Sequence, residues 1–141
     1  MITQTSNREI AEYVLANNGA TVQLLADGGQ RFYDRRDGDV CAVGGARDAE
    51  GFQIPELVIP ADSFDAESVA EAVRYVREAR EGTNQRWSAI GFWIDEDYPN
   101  VVVVDAVDAI MGTVLAQNIA ADRGEKAIFH IATGEVIATG I

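Results

Sequence analysis

Four runs carry the densest apolar and β-branched residues of the chain: Ile90-Gly-Phe-Trp-Ile-Asp-Glu-Asp97, Val101-Val-Val-Val-Asp-Ala-Val107, Val114-Leu-Ala-Gln-Asn-Ile119 and Lys126-Ala-Ile-Phe-His-Ile-Ala-Thr-Gly-Glu-Val-Ile137. Ile90–Ile94 and Val101–Val107 predict two strands around the polar loop Asp95–Asn100, since Asp, Pro and Asn punctuate turns. Val101–Val104 has no polar alternation, which predicts a strand covered on both faces. A helix is expected from Thr113 to Arg123. Val114, Leu115, Asn118 and Ile119 form its apolar stripe, and Gly124 ends it in a left-handed cap. In the next strand Ala127, Phe129 and Ile131 face one side and Lys126, Ile128 and His130 the other. Thr133-Gly134 turns the chain into a last strand, Glu135–Thr139. The local order is β-β-α-β-β.

The chain before this region divides in the same way. Ser6-Asn-Arg-Glu9 is a capping box, with Ile10, Tyr13 and Val14 on one helical face and Asn18-Gly19 as the stop. Thr21–Ala26, Gln30–Asp34 and Val40–Val43 read as three strands of an antiparallel meander, joined at Asp27-Gly-Gly29 and Arg35–Asp39. Phe52–Pro60 is extended, because Pro60 restricts Ile59. A second long helix spans Ala66–Arg80. Its apolar stripe is Val69, Val73 and Val76, and its charged exterior is Glu67, Glu71, Arg74, Arg77, Glu78 and Arg80. The fold class is α+β: a single domain over residues 1–141, mainly antiparallel sheet with about three helices. The only candidate internal joints are 44–51 and 82–86.

At 141 residues the chain is long enough to bury a core without disulfides or metal. Its 48% hydrophobic content argues against disorder. No run reaches the roughly 18 apolar residues a membrane span needs. The N-terminus lacks an apolar signal core, so a cytoplasmic protein is expected. One cysteine, Cys41, rules out an internal disulfide and is expected to pack as a small hydrophobe.

Charge is the strongest statement of the composition: 23 acids against 11 bases give −12, and Lys126 is the single lysine. Direct contact with nucleic acid is excluded on this balance, because phosphates require a basic patch. Three readings stand. The acids solvate the surface; or they adapt the protein to high salt; or they form a negative face for a protein partner with a basic surface.

Candidate chemistry is sparse. If their strands are neighbours, Asp95, Glu96, Asp97, Asp105 and Asp108 converge with His130, and hard oxygen ligands of this type suit magnesium or manganese. The ordinary reading of Asp95–Asn100 is a solvated turn, since it lacks the glycine and distal glutamate of a calcium loop. His130 is the only histidine, so any histidine acid or base must be it. A structural histidine is the ordinary reading there too, and no nucleophile elbow is present. Cys41 and His130 form a conceivable thiol pair that no spacing supports. Trp87 suits a clamp at the entry to the sheet or an interface. Phe92 and Trp93 face opposite sides of one strand, so one of them needs a second cover. Trp87, Trp93, Asp95, Glu96, Asp97 and Tyr98 are therefore the candidate interaction residues. No catalytic residue and no cofactor is expected, and a sheet-edge homo-oligomer is open.

The segment Gly91–Asp97 and the run Ala127–Glu135 resemble small acidic proteins carried by phages and plasmids of high-GC bacteria. Gly91–Asp97 with Glu125–His130 also resembles the Gly-x-Trp-Ile-Asp and Ala-Ile-His elements of plasmid antirestriction proteins of the ArdA type, which are acidic DNA mimics. The resemblance spans about 50 residues and departs where Val101–Val107 continues as strand rather than helix. It implies a mobile-element accessory protein, a counter-defence factor in the host cytoplasm. The alternatives are a phage assembly or decoration component, and a small metal-dependent enzyme built on the Asp95–Asp108 acids and His130.

Overall fold

The computed structural model describes residues 4–140. Its elements in order are α1 (Asn7–Asn17), β1 (Gly19–Leu24), β2 (Gln30–Phe32), β3 (Val40–Val43), β4 (Leu57–Pro60), α2 (Ala66–Ala79), β5 (Ser88–Asp95), β6 (Tyr98–Met111), α3 (Thr113–Asp122), β7 (Ala127–His130) and β8 (Glu135–Ala138). The fold is α+β: three helices and one antiparallel eight-stranded sheet in a single compact domain. The strand path is β2-β1-β5-β6-β3-β7-β8, and β4 joins β6 beside β3.

Local chemistry accounts for the helix ends. Ser6 Oγ accepts from the Glu9 amide at 3.1 Å and Glu9 accepts from the Ser6 amide at 3.2 Å, so the capping box forms as expected. Asn18 takes a left-handed φ of 63° and stops α1. Asp65 caps α2 by accepting from the Ser68 amide at 3.0 Å.

β6 is the spine. Val102, Val104, Ala106, Asp108 and Ile110 point to the helix-covered face, in register with Phe92, Ile90 and Ser88 of β5 on one side and Val43 and Cys41 of β3 on the other. α1 and α2 cover one half of that face, burying Ile10, Val14, Val69 and Val76 against Val22, Ile90, Phe92 and Val102. α3 covers the other half, over Cys41, Val43, Ile110 and Ile128. On the opposite face Val40, Ala89, Val107 and Ala109 are buried together, with Tyr33 and Ile131 packed on them.

Four expectations are corrected. The three-stranded meander is really one hairpin, β1–β2, because β3 leaves it and inserts between β6 and β7. A 3-10 turn at Arg35–Asp37 redirects the chain: Asp34 caps it, the Arg31–Asp37 ion pair at 2.7 Å clamps it, and Gly38 follows at φ 78°. The run Val101–Val104 is not covered on both faces, since Val102 and Val104 are buried while Val101 and Val103 are half-exposed. The segment covered on both faces is Ala106–Ile110. α3 buries Ala116 and Ala120, whereas Val114 and Leu115 point outward at 70% and 48% exposure. Small side chains let α3 sit close to the sheet, so bulk is displaced to its outer side. Finally, Arg80 is not on the exterior of α2 but 5% exposed inside the fold.

The two candidate joints are parts of the domain. In loop 44–51, Ala46 is buried and its carbonyl accepts from the Ile54 amide at 3.0 Å. Segment 82–86 is anchored by the Thr83 amide and hydroxyl, both of which donate to the Arg80 carbonyl.

Candidate functional site

The predicted hard-ligand set does not converge. Asp95 and Asp97 lie at the tip of the β5–β6 hairpin, where Asp95 Oδ1 accepts from the Asp97 amide at 2.8 Å. Ser88, the register partner of Asp108, is seven residues along β5 from Asp95, about 23 Å away. Asp108 is 2% exposed and is spent on two arginines. Arg80 Nη2 from the end of α2 donates to Oδ1 at 2.8 Å, and Arg123 Nη2 from the end of α3 donates to Oδ2 at 2.6 Å. The same guanidiniums hold the Arg47 and Gly44 carbonyls at 3.0 and 3.1 Å. This buried Arg-Asp-Arg triad ties α2, α3, β6 and the loop after β3 together, between the two halves of the core. It is structural, and the sequence reading missed both arginines as its partners.

Asp105 lies on the other face of β6, in register with Gly91. Burial pushes its carboxyl up to about 7, and the Glu56 and Glu125 charges add to the rise. The Asp105 and Glu125 carboxylates both approach Gly44, and the Glu56 charge is close enough to act on Asp105.

The candidate interaction residues also separate. Trp93 is 41% exposed on the face without helices, beside Val103 in register, and Tyr98 is 70% exposed at the hairpin tip with Glu96 and Asp97. Trp87 stands about 20 Å back along the chain from Trp93. It is half-buried against the core under α3, and its carbonyl accepts from the Ala109 amide at 2.8 Å. It is not part of the hairpin-tip surface.

His130 belongs to a constellation that spacing alone did not reveal. β3 and β7 pair with Cys41 opposite His130, so the two side chains share a face across a strand boundary. Asp39, two residues before Cys41, stands at the mouth. His130 Nε2 lies 3.1 Å from Asp39 Oδ1, and His130 Nδ1 lies 3.0 Å from Thr133 Oγ1. Thr113, the first residue of α3, donates to Asp39 with its hydroxyl at 2.6 Å and its amide at 3.2 Å. These bonds, with His130 beside it, hold the Asp39 carboxyl below its ordinary range. Cys41 Sγ lies 3.8 Å from Thr113 Oγ1, and burial pushes the thiol up. One ligand atom from each of Asp39, Cys41 and His130 falls within 4.8 Å of the others; among the described residues this is the one group of three such side chains so gathered.

A third feature is electrostatic. The outward side of α2 carries Glu67, Glu71 and Glu78, continued by Glu81, with Arg74 as the one base in the line. Glu67 to Glu78 extend over about 16 Å of helix axis at 1.5 Å per residue, and Glu81 follows in the turn after α2. Glu78 and Glu81 also line a cleft of roughly 330 Å³ with Asp48 and Glu50, and no basic side chain lines it. Elsewhere arginines are spent internally: Arg77 on the Leu25 and Gly29 carbonyls, Arg31 on Asp37, and Arg80 and Arg123 on Asp108.

Comparison with known protein families, curated proteins and solved structures finds no match to this chain. No helix among the described residues is long and apolar enough to cross a membrane.

Proposed function

We propose that the protein is a non-enzymatic accessory factor that binds a partner protein with a basic surface, in the manner of a mobile-element counter-defence factor or nucleic-acid mimic. One observation carries this reading: the unbalanced acidic line Glu67-Glu71-Glu78-Glu81 runs into the four-carboxylate cleft. The helix holds Glu67, Glu71 and Glu78 in fixed relative positions and Glu81 follows in the turn at its end, so they present an ordered negative face. The cleft takes one arginine or lysine side chain of the partner among Asp48, Glu50, Glu78 and Glu81. Complementary charge of this kind speeds encounter and selects partners. It is weakened by salt, because the groups are exposed.

The test compares the natural protein with the variant Glu71→Lys, Glu78→Lys, Glu81→Lys as bait in host lysate at low and moderate salt. The reading expects a nucleic-acid-binding protein that duplex DNA displaces, that salt removes, and that the triple variant captures at least tenfold less. Equal capture by both baits, or no displacement by DNA, overturns it.

A second reading, an assembly component, is favoured by the apolar group Trp93, Val58 and Val103 on the open sheet face, where Trp93 and Val58 are 41% and 61% exposed. Sedimentation at micromolar concentration decides it. Self-association abolished by Trp93→Ser supports assembly, and a monomer at all concentrations removes it.

A further inference from the structure

We infer that Asp39, Cys41 and His130 form a binding site for one divalent transition metal ion of the zinc class, closing β7 onto β3 at the start of α3. The inference does not rest on the acidic-face reading and uses none of its residues. A thiol, an imidazole and a carboxylate on three short tethers are a mixed soft and borderline set. That set suits zinc or cobalt and not magnesium or calcium, which take oxygen alone. Tetrahedral zinc at its ordinary bond lengths separates its ligand atoms by about 3.3–3.6 Å. The Nε2–Oδ1 edge is already 3.1 Å, and all three atoms lie within 4.8 Å. The thiol edges, at 4.8 Å or less, close to this spacing by at most about 1.5 Å, through rotation of the Asp39 and His130 side chains rather than of the buried Cys41.

The surroundings are those of a supported site. Metal-bound histidines are oriented through their second nitrogen. Here that nitrogen, Nδ1, meets the Thr133 hydroxyl at 3.0 Å, leaving Nε2 toward Asp39 and Cys41. Asp39 Oδ2 is held by the Thr113 amide at 3.2 Å. Cys41 is wholly buried, so its approach is fixed by packing under α3. Burial and a raised thiol pKa also argue against Cys41 as a free nucleophile or redox sensor, which needs exposure and a stabilised thiolate. Asp39, at 57% side-chain exposure, is the entrance.

Binding is a ligand exchange. The ion replaces the His130–Asp39 hydrogen bond, and the Cys41 thiol gives its proton to solvent as the metal–sulfur bond forms. Nε2 gives up the proton it shared with Asp39 and the neutral ring carries its single proton on Nδ1, donating to Thr133 Oγ1, so the net proton released is the thiol's. Three protein ligands leave the fourth position for water.

The test uses the full chain, reduced and freed of metal with a chelator, titrated with cobalt(II) and then zinc(II). One equivalent of cobalt is expected to give the intense visible absorption of a tetrahedral site and a thiolate-to-cobalt charge-transfer band. Zinc is expected to abolish both, and binding to release a proton. Cys41→Ala should remove the charge-transfer band, and His130→Gln should weaken binding at least tenfold. Thr133→Val, which touches no metal, should weaken it roughly tenfold through the lost support of His130. Circular dichroism checks folding. If Cys41→Ala does not fold, His130→Gln decides, since His130, with 15% of its side chain exposed, lies outside the buried cluster that holds Cys41. Cobalt uptake without a thiolate band, or of equal affinity in His130→Gln, means that surface carboxylates alone are binding and overturns the site.

Discussion

Asp108→Asn is the sharpest perturbation of the fold. The substitution keeps shape and removes one charge, leaving Arg80 and Arg123 to share a neutral amide. Asparagine has one carbonyl, so one of the two guanidiniums then faces an N–H2 donor. The side chains of Arg80, Asp108 and Arg123 are 7%, 3% and 17% exposed, so water cannot readily replace the lost carboxylate. Breaking a buried pair from one side costs about 3–5 kcal/mol, because the remaining charge is left uncompensated. For 141 residues, an unfolding entropy of about 2.1 cal/mol/K per residue gives about 0.3 kcal/mol/K, so Tm should fall by about 10–17 °C. Thermal and urea unfolding followed by circular dichroism measure it. Arg80→Met should cost less, since it leaves the Arg123–Asp108 pair neutral. Glu12→Gln, which breaks the exposed Arg8–Glu12 pair, should cost only about 0.3–0.5 kcal/mol. A loss below about 1 kcal/mol in Asp108→Asn would refute the reasoning, because the guanidiniums would then be finding water.

Two other residues give equally direct tests. Asp105 has a folded pKa near 7 against an ordinary 3.8, so the native state binds the extra proton between those values. Stability then falls as pH rises from about 4 to about 7 and levels off above. Asp105→Asn should match the natural protein near pH 4 and exceed it at pH 8 in urea midpoint; the same difference at both pH values would exclude the coupling. At Gly19 an added Cβ would stand 2.7 Å from the Phe92 carbonyl oxygen in the adjacent strand, a backbone atom that cannot rotate away. Gly19→Ala should therefore destabilise by about 1–3 kcal/mol, as other overpacked sites do, and an unchanged Tm would show that β1 and β5 part freely.

Most elements are legible in the residues that form them. Ser6 and Glu9 cap α1, Asp65 caps α2, Gly124 follows α3, and Val40–Val43 has the predicted strand limits. These features depend on neighbours a few residues apart, where sequence spacing and physical distance agree. Pairing does not. Asp37-Gly38 carries a hairpin signal, yet the Asp34 cap and the Arg31 clamp turn the same residues into a bend that sends β3 across the sheet. In α3 the apolar stripe was read from bulk. Close packing over β3 and β7 instead selects Ala116 and Ala120 for the buried side.

Both polar constellations follow from that one crossing of β3. With β3 beside β2, Cys41 would have no route to His130, and the loop after Val43 would not bring the Arg47 carbonyl to Arg80. With β3 between β6 and β7, residue 41 meets residue 130 and residue 43 meets residue 108 on the helix-covered face. Asp39 then lands at the first turn of α3, and the ends of α2 and α3 close on Asp108. Spacing alone therefore misplaces the charges inside the fold: it puts Arg80 on the surface and Asp108 in a ligand set, and it gives no support to a pairing of Cys41 with His130. The exterior charges were legible without topology, because Glu67, Glu71 and Glu78 follow the helical repeat that the apolar stripe of α2 already fixes. That asymmetry explains why the exposure of Glu67, Glu71 and Glu78 follows from periodicity, while the gathering of Asp39, Cys41 and His130 requires the strand order.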